Sequence, residues 1–140
     1  MDTQQTLNTI FQESKTIALA TSVENFPNVR IVNFVYDPGN PGVLYFASDR
    51  ENAKVAEFGK NDRVAFTTVP AAGIAHVRSQ NATVRKSAFS IEEMQSLFIA
   101  KIPGYDETIA AIGETLDVFE IRINEATVIS GFEEPGRVSF

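Results

Sequence analysis

Cysteine and tryptophan are absent from this 140-residue chain, and histidine occurs once, at His76. The lack of cysteine excludes disulfides, thiol nucleophiles and thiolate metal sites, and it points to a reducing, cytoplasmic setting. A single histidine cannot build a multi-histidine zinc site within one chain. Basic residues are the minority charge: 12 Lys and Arg against 18 Asp and Glu leave a net charge of −6. That balance argues against the broad cationic surface that nucleic acid requires. Apolar runs fall well short of the ~20 residues of a spanning helix, so no membrane partner is expected. The segment Met1-Asp2-Thr3-Gln4-Gln5 has neither the basic region nor the apolar core of a secretory leader. The glycine-rich phosphate loops of the common nucleotide-binding folds and the Gly-x-Ser-x-Gly nucleophile elbow are missing as well.

What is present suits a globular domain. Hydrophobic residues make up 44% and charged residues 21%, and no linker or repeat divides residues 1–140, so the chain reads as one domain. Leu7, Ile10, Phe11 and Ser14 follow a helical rhythm over residues 3–14, with Thr3 or Thr6 as candidate caps. Strands are predicted over 16–23, 29–36 and 43–47, separated by the turn signals Asn25-Phe26-Pro27-Asn28 and Asp37 to Gly42, which together suggest a meander. A short helix follows over 51–59, then strands over 63–69 and 74–88, the second bent near Ser79-Gln80-Asn81. Ser90-Ile91-Glu92-Glu93 has the form of a capping box, opening a helix with Ile91, Met94, Leu97 and Phe98 inward. Another short helix is expected over 106–114. Two strands, 116–123 and 126–130, then close the chain around Asn124-Glu125. Helices inserted irregularly between strands predict an α+β fold that is mainly antiparallel sheet or small barrel.

Two segments carry candidate chemistry. Arg30 opens an otherwise apolar run, Arg30-Ile31-Val32-Asn33-Phe34. Ser48-Asp49-Arg50-Glu51-Asn52-Ala53-Lys54 marks the change from strand to helix. Free N–H groups at a helix start, neutral donors on Ser48 and Asn52, and cations on Arg50 and Lys54 are the chemistry of a phosphate site. The same residues also make ordinary caps and solvated faces. His76, and the basic set Arg78, Arg85 and Lys86, read more simply as structural and edge residues. No side chain stands out as a catalytic acid or base.

Taken together, Ala18-Leu19-Ala20-Thr21, Pro27 to Val32, Leu44 to Ser48, Asn52-Ala53-Lys54 and Lys60 to Ala65 resemble, in order and spacing, the pyridoxamine 5′-phosphate oxidase-like proteins. These are flavin-nucleotide-binding split β-barrels, including general-stress and nitroimidazole-resistance types. The resemblance spans about residues 5–130. It implies a six-stranded antiparallel split barrel acting as a homodimer, with FMN in a groove between subunits and a small-molecule redox substrate. Carried onto this chain, it implies that Arg30 and Lys54 hold the phosphate. Ser48 and Asn52 would donate hydrogen bonds, and Val32 and Asn33 would pass beside the ring. Phe26, Val35 and Asp62 depart from the family pattern, which sets pyridoxamine phosphate aside as the expected substrate. The alternative on the same barrel is a non-catalytic protein that binds flavin, deazaflavin or haem, with His76 as a candidate axial ligand.

Overall fold

In the computed structural model, which describes residues 2–140, local sequence signals set most of the elements. Helix α1 (Thr3–Glu13) starts at Asp2, whose carboxylate accepts from the Gln5 N–H while the Gln5 amide oxygen accepts from the Asp2 N–H. Asp2 therefore supplies the cap expected of Thr3 or Thr6, because an acidic Ncap with Gln three residues on satisfies two orphan donors reciprocally. Strand β1 (Thr16–Val23) turns into β2 (Phe26–Asn33) through Glu24 and Asn25, both at positive φ. The expected turn at Asn25 to Asn28 is thus displaced: two left-handed residues suffice for a tight hairpin, and Phe26 and Pro27 already lie in the strand. Pro27 is tolerated there because β2 is an edge strand.

The strand run expected over residues 29–36 breaks at Phe34. Strand β3 (Val35–Tyr36) pairs with β4 (Val43–Asp49), not with β1. Helix α2 (Ala53–Lys60) leads to β5 (Arg63–Thr68) and β6 (His76–Lys86). Register shifts around Arg78, Asn81 and Ala82 supply the bend expected near Gln80. Helices α3 (Ile91–Lys101) and α4 (Tyr105–Ile112) and a 3₁₀ turn (Gly113–Thr115) precede β7 (Leu116–Ile129) and β8 (Gly136–Ser139). Asn124-Glu125 is not a turn: β7 runs through it for 14 residues, held by β6 on one side and by β4 and then β8 on the other.

The antiparallel sheet has the order β2-β1-β5-β6-β7-β4-β3, with β8 added to β7. Strands β2 and β3 occupy opposite ends of this order, yet only Phe34 separates them in the chain. One residue cannot cross a flat sheet, so the sheet curls until its two edges approach each other, as a split barrel does. The meander expected over residues 16–47 is instead two hairpins, one at each end of the order. Counted with the two-residue β3 and the terminal β8, the sheet has eight strands, against the six expected.

Two apolar clusters result. Leu7, Ile10 and Phe11 of α1 plug the barrel interior beside Phe34, Phe46, Phe66 and Phe119. A second cluster packs Ile91, Met94, Phe98 and Tyr105 on the other face of β3, β4 and β7. Leu97 departs from the expected inward set: it is 42% exposed, because α3 buries a narrow stripe of Ile91, Met94 and Phe98. Lys101 joins the clusters. Its Nζ donates to the Phe11 carbonyl at 2.7 Å and lies 3.7 Å from the Phe34 ring centroid.

Candidate functional site

Alternation along β2 turns Arg30 and Val32 toward the barrel and Val29, Ile31 and Asn33 away from it. Val32 packs against the barrel core. Arg30 is anchored by β1, with Nη1 donating to the Thr21 hydroxyl at 2.9 Å and to the Leu19 carbonyl at 3.3 Å. Its Nη2 forms an ion pair with Glu57 of α2. The Glu57 carboxylate also accepts from the Thr21 hydroxyl at 2.8 Å and from the Asn28 amide at 3.2 Å. The Thr21 hydroxyl, the Asn28 amide and Arg30 hold Glu57 below the usual carboxylate range, against a smaller opposing effect of burial.

Lys54 stands one helical turn before Glu57 on the same helix, a spacing that puts both on one face. Burial lowers its pKa, Arg30 lowers it further, and Asp49 and Glu57 act in the opposite direction. The fold therefore brings Arg30 and Lys54 into one electrostatic cluster at the start of α2. Asn52 is the Ncap of that helix: its Oδ1 accepts from the Lys54 N–H at 3.1 Å, leaving Nδ2 as its donor. Ser48 is buried on the barrel side of β4, and its hydroxyl donates to the Asp49 carbonyl at 3.1 Å. Arg50, by contrast, leaves the cluster to meet Asp117 and the Glu114 carbonyl.

Asn33 lies on the face opposite Arg30, and its backbone has a different opportunity. The Phe34 N–H donates to the Lys15 carbonyl. By ladder alternation, Val32 and Arg30 then use their own backbone groups on Ile17 and Leu19. The N–H and C=O of Ile31 and Asn33 point to the open edge of β2, as does the C=O of Val29, whose N–H donates to Asn28 Oδ1 at 2.9 Å.

Sequence reasoning missed Thr21, Asn28 and Glu57. Two signals were available. Glu57 follows Lys54 at a same-face spacing, and Thr21 is the one polar residue in the inward series Ile17, Leu19, Thr21.

Elsewhere, His76 is half-buried, with Nδ1 2.6 Å from the Ile74 carbonyl. It lines an open groove of about 820 Å³ on the outer face of the sheet, with Ala18, Ala20, Ala65, Arg78 and Arg137. Arg85 and Lys86 pair with Glu120 and Asp117 of β7; they are solvated as expected, but at the end of an interior strand and not on a sheet edge.

This architecture, a curled antiparallel sheet plugged by a helix and with a cluster of paired charges where β2 meets α2, defines a split-barrel protein. The family model for pyridoxamine 5′-phosphate oxidase-like proteins matches residues 10–134, and the chain belongs to that family. The fold is similar to a NimC/NimA family protein from Clostridium acetobutylicum, with TM-score 0.71 and 19% identity over 98% of this chain and 91% of that one. It is also similar to a FAD-binding protein from Mesorhizobium loti, with TM-score 0.65 and 14% identity over 98% and 94%. A heme binding protein from Mycobacterium smegmatis gives TM-score 0.72 and 14% identity over 99% of this chain and 58% of that one. No curated protein matches the sequence. No helix among the described residues is long and apolar enough to cross a membrane.

Proposed function

We propose that this chain binds FMN at the barrel mouth between β2 and the start of α2 and works there as a small flavin-dependent oxidoreductase of a reducing cytoplasm. The observation that carries this reading is the convergence of Arg30 and Lys54, from a strand and a helix, on one half-buried cluster. A planar guanidinium and a point-charge ammonium beside a helix start suit a phosphomonoester. Asn52 Nδ2 and the rotatable hydroxyl of Ser48 add neutral donors. Val32 supports the ring from the barrel side, and Asn33 offers backbone groups at the open strand edge to its polar rim. Bound flavin supplies the electron transfer, while the protein binds, orients and shields it.

A second copy of the chain completes the groove in this reading. Val29 and Ile31, on the outward face of this open-edge strand, are 63% and 60% exposed. Such a patch next to the flat Ala18–Ala20–Ala65 face suits a homodimer interface.

The test begins with the absorbance of the purified protein, where a flavin doublet is expected. Lys54→Ala should weaken FMN binding roughly 10- to 150-fold, the loss of one charge-assisted hydrogen bond. Riboflavin, which lacks the phosphate, should bind both proteins equally. Equal losses for the two flavins would overturn the phosphate role. Anaerobic bleaching of the bound flavin by NADH or NADPH would separate an enzyme from a flavin carrier.

His76 supports a second reading. A proton on Nδ1, shared with the Ile74 carbonyl, leaves the Nε2 lone pair free, the state in which histidine binds haem iron. A Soret band in place of the flavin doublet, lost in His76→Ala, would favour it.

A further inference from the structure

The Glu57 carboxylate is surrounded as a bound anion would be. Both its oxygens are used: Oε1 accepts from Thr21 and Arg30, and Oε2 accepts from Asn28. These three donors come from β1 and β2, while the carboxylate itself arrives from α2, a different element. The Glu57 side chain is 22% exposed, so water reaches the contact from outside. Arg30 is paired, and Asp49 and Glu57 both act on Lys54. Two cations and two carboxylates leave this cluster with no net charge to offer a phosphate.

We propose that Glu57 is a built-in competitor for the phosphate: it fills a three-donor anion site made by Thr21, Asn28 and Arg30, and a phosphorylated ligand enters by displacing it. Thr21 and Asn28 are then ligand-binding residues in their own right. This inference rests on the reading of Arg30 and Lys54 as a phosphate site, and it deepens that reading by naming what the phosphate must displace. The physical reason is charge and geometry together. A phosphate oxygen accepts from the same donors as a carboxylate oxygen but carries more charge, so it exchanges for the carboxylate donor by donor. Glu57 sits on a helix face with a flexible side chain and solvent beside it, so it leaves without unfolding its element. While it stays, it lowers the affinity of every phosphate ligand and leaves a ligand without phosphate unaffected. The site is thereby selective against weak phosphate binders and retains ligands whose remaining contacts repay the exchange.

Glu57→Gln tests this, because the amide keeps the shape of the carboxylate and removes its charge. The parent, Glu57→Gln and Glu57→Gln/Thr21→Val proteins are titrated with FMN, riboflavin and inorganic phosphate. Glu57→Gln should bind FMN about five- to ten-fold more tightly, the range of a partly exposed ion pair plus the removed repulsion. Riboflavin affinity should not change, and Thr21→Val should erase most of the gain. If Glu57→Gln binds FMN no better than the parent, while Lys54→Ala still weakens FMN selectively, this inference is overturned and the phosphate reading stands. If Lys54→Ala leaves FMN affinity unchanged, the phosphate reading falls. In that case, or if no protein binds flavin, inorganic phosphate decides the inference separately: Glu57→Gln should gain phosphate binding over the parent, and no gain overturns it. Should Glu57→Gln lose its cooperative melt, Glu57→Ala repeats the comparison.

Discussion

Two carboxylates in this molecule are each held by arginine and by a hydroxyl, and they differ in nearly everything else. Glu120 lies on β7, inside the ladder, and its side chain is 7% exposed. It accepts from Ser87 at 2.9 Å and from Arg85 and Arg122 at 3.1 Å each. Burial alone would raise its pKa, but Ser87, Arg85 and Arg122 hold it below the usual range. Its cations come from β6 and β7, whose backbones are locked together, and both keep one side in water. Glu57 is more exposed and reaches across from a helix to a neighbouring hairpin. The first arrangement has no route of exchange short of opening the sheet. The second has one, since its anion and its donors belong to elements that can part. Similar pairs therefore play different roles according to whether both partners share one rigid element.

The comparison is most sharply tested at Glu120. Glu120→Ala should cost about 2–4 kcal/mol, because it strands the buried Ser87 hydroxyl and removes two charge-assisted bonds. Urea unfolding would measure this, and a cost under ~1 kcal/mol would make Glu120 no more structural than Glu57.

Lys101 adds a half-buried charge of the opposite sign. No salt bridge to a carboxylate forms on it among the described residues. Burial and then Lys15 push its pKa down to about 7, while the Phe11 carbonyl and the Phe34 ring are the polar partners left to its ammonium. The unfolded chain then binds a proton that the folded chain lacks between pH about 7 and about 10.4, so stability should rise with pH through that window. The penalty is fully present below about 7. Lys101→Met, which keeps the apolar stem, should flatten the rise, as read by denaturant midpoints at pH 6.5 and 9.

In acid the slope keeps this sign, but here the charged forms stabilise the fold instead of penalising it. Both Glu57 and Glu120 have lowered folded pKa values, so their contribution is full above the unfolded value of about 4.3. It is lost as pH falls through the lowered value. Midpoints between pH 6 and 3 should fall less steeply in Glu120→Gln than in the parent, with a smaller difference in Glu57→Gln.

The smallest effect is expected on stability at Glu57 itself. A part-exposed pair contributes about 0–1 kcal/mol, so Glu57→Gln should unfold within that distance of the parent while changing FMN affinity. A larger loss would mean that Glu57 fastens α2 to the barrel, and the contrast with Glu120 would fail.

Much of the local structure was legible in the residues. The Ser90–Glu93 capping box is present with both of its hydrogen bonds, because a cap is a contact between near neighbours. Strand β1 occupies its expected span, since a short, apolar and partly β-branched run reads directly as a strand. The misreadings follow one pattern. Asn124-Glu125 has turn composition, but pairing on both edges of β7 overrides it. Leu97 has core chemistry, but α3 meets the sheet along too narrow a stripe to bury it. At the site, Arg30 and Lys54 could be singled out as cations, whereas Glu57 gains meaning only once α2 lies against β1 and β2.

Composition by itself excluded thiol chemistry and within-chain multi-histidine metal sites, and the order of short motifs pointed to the split-barrel family. Periodicity and caps placed the helices and most strands, because those are decided by residues within a few positions of one another. The strand order that puts β2 and β3 at opposite ends of the sheet, the curl that brings those ends together, and the meeting of Arg30 with Glu57 were decided only by the tertiary structure. All three depend on which distant strands pair, and pairing is set by the burial of a shared core that no local segment contains.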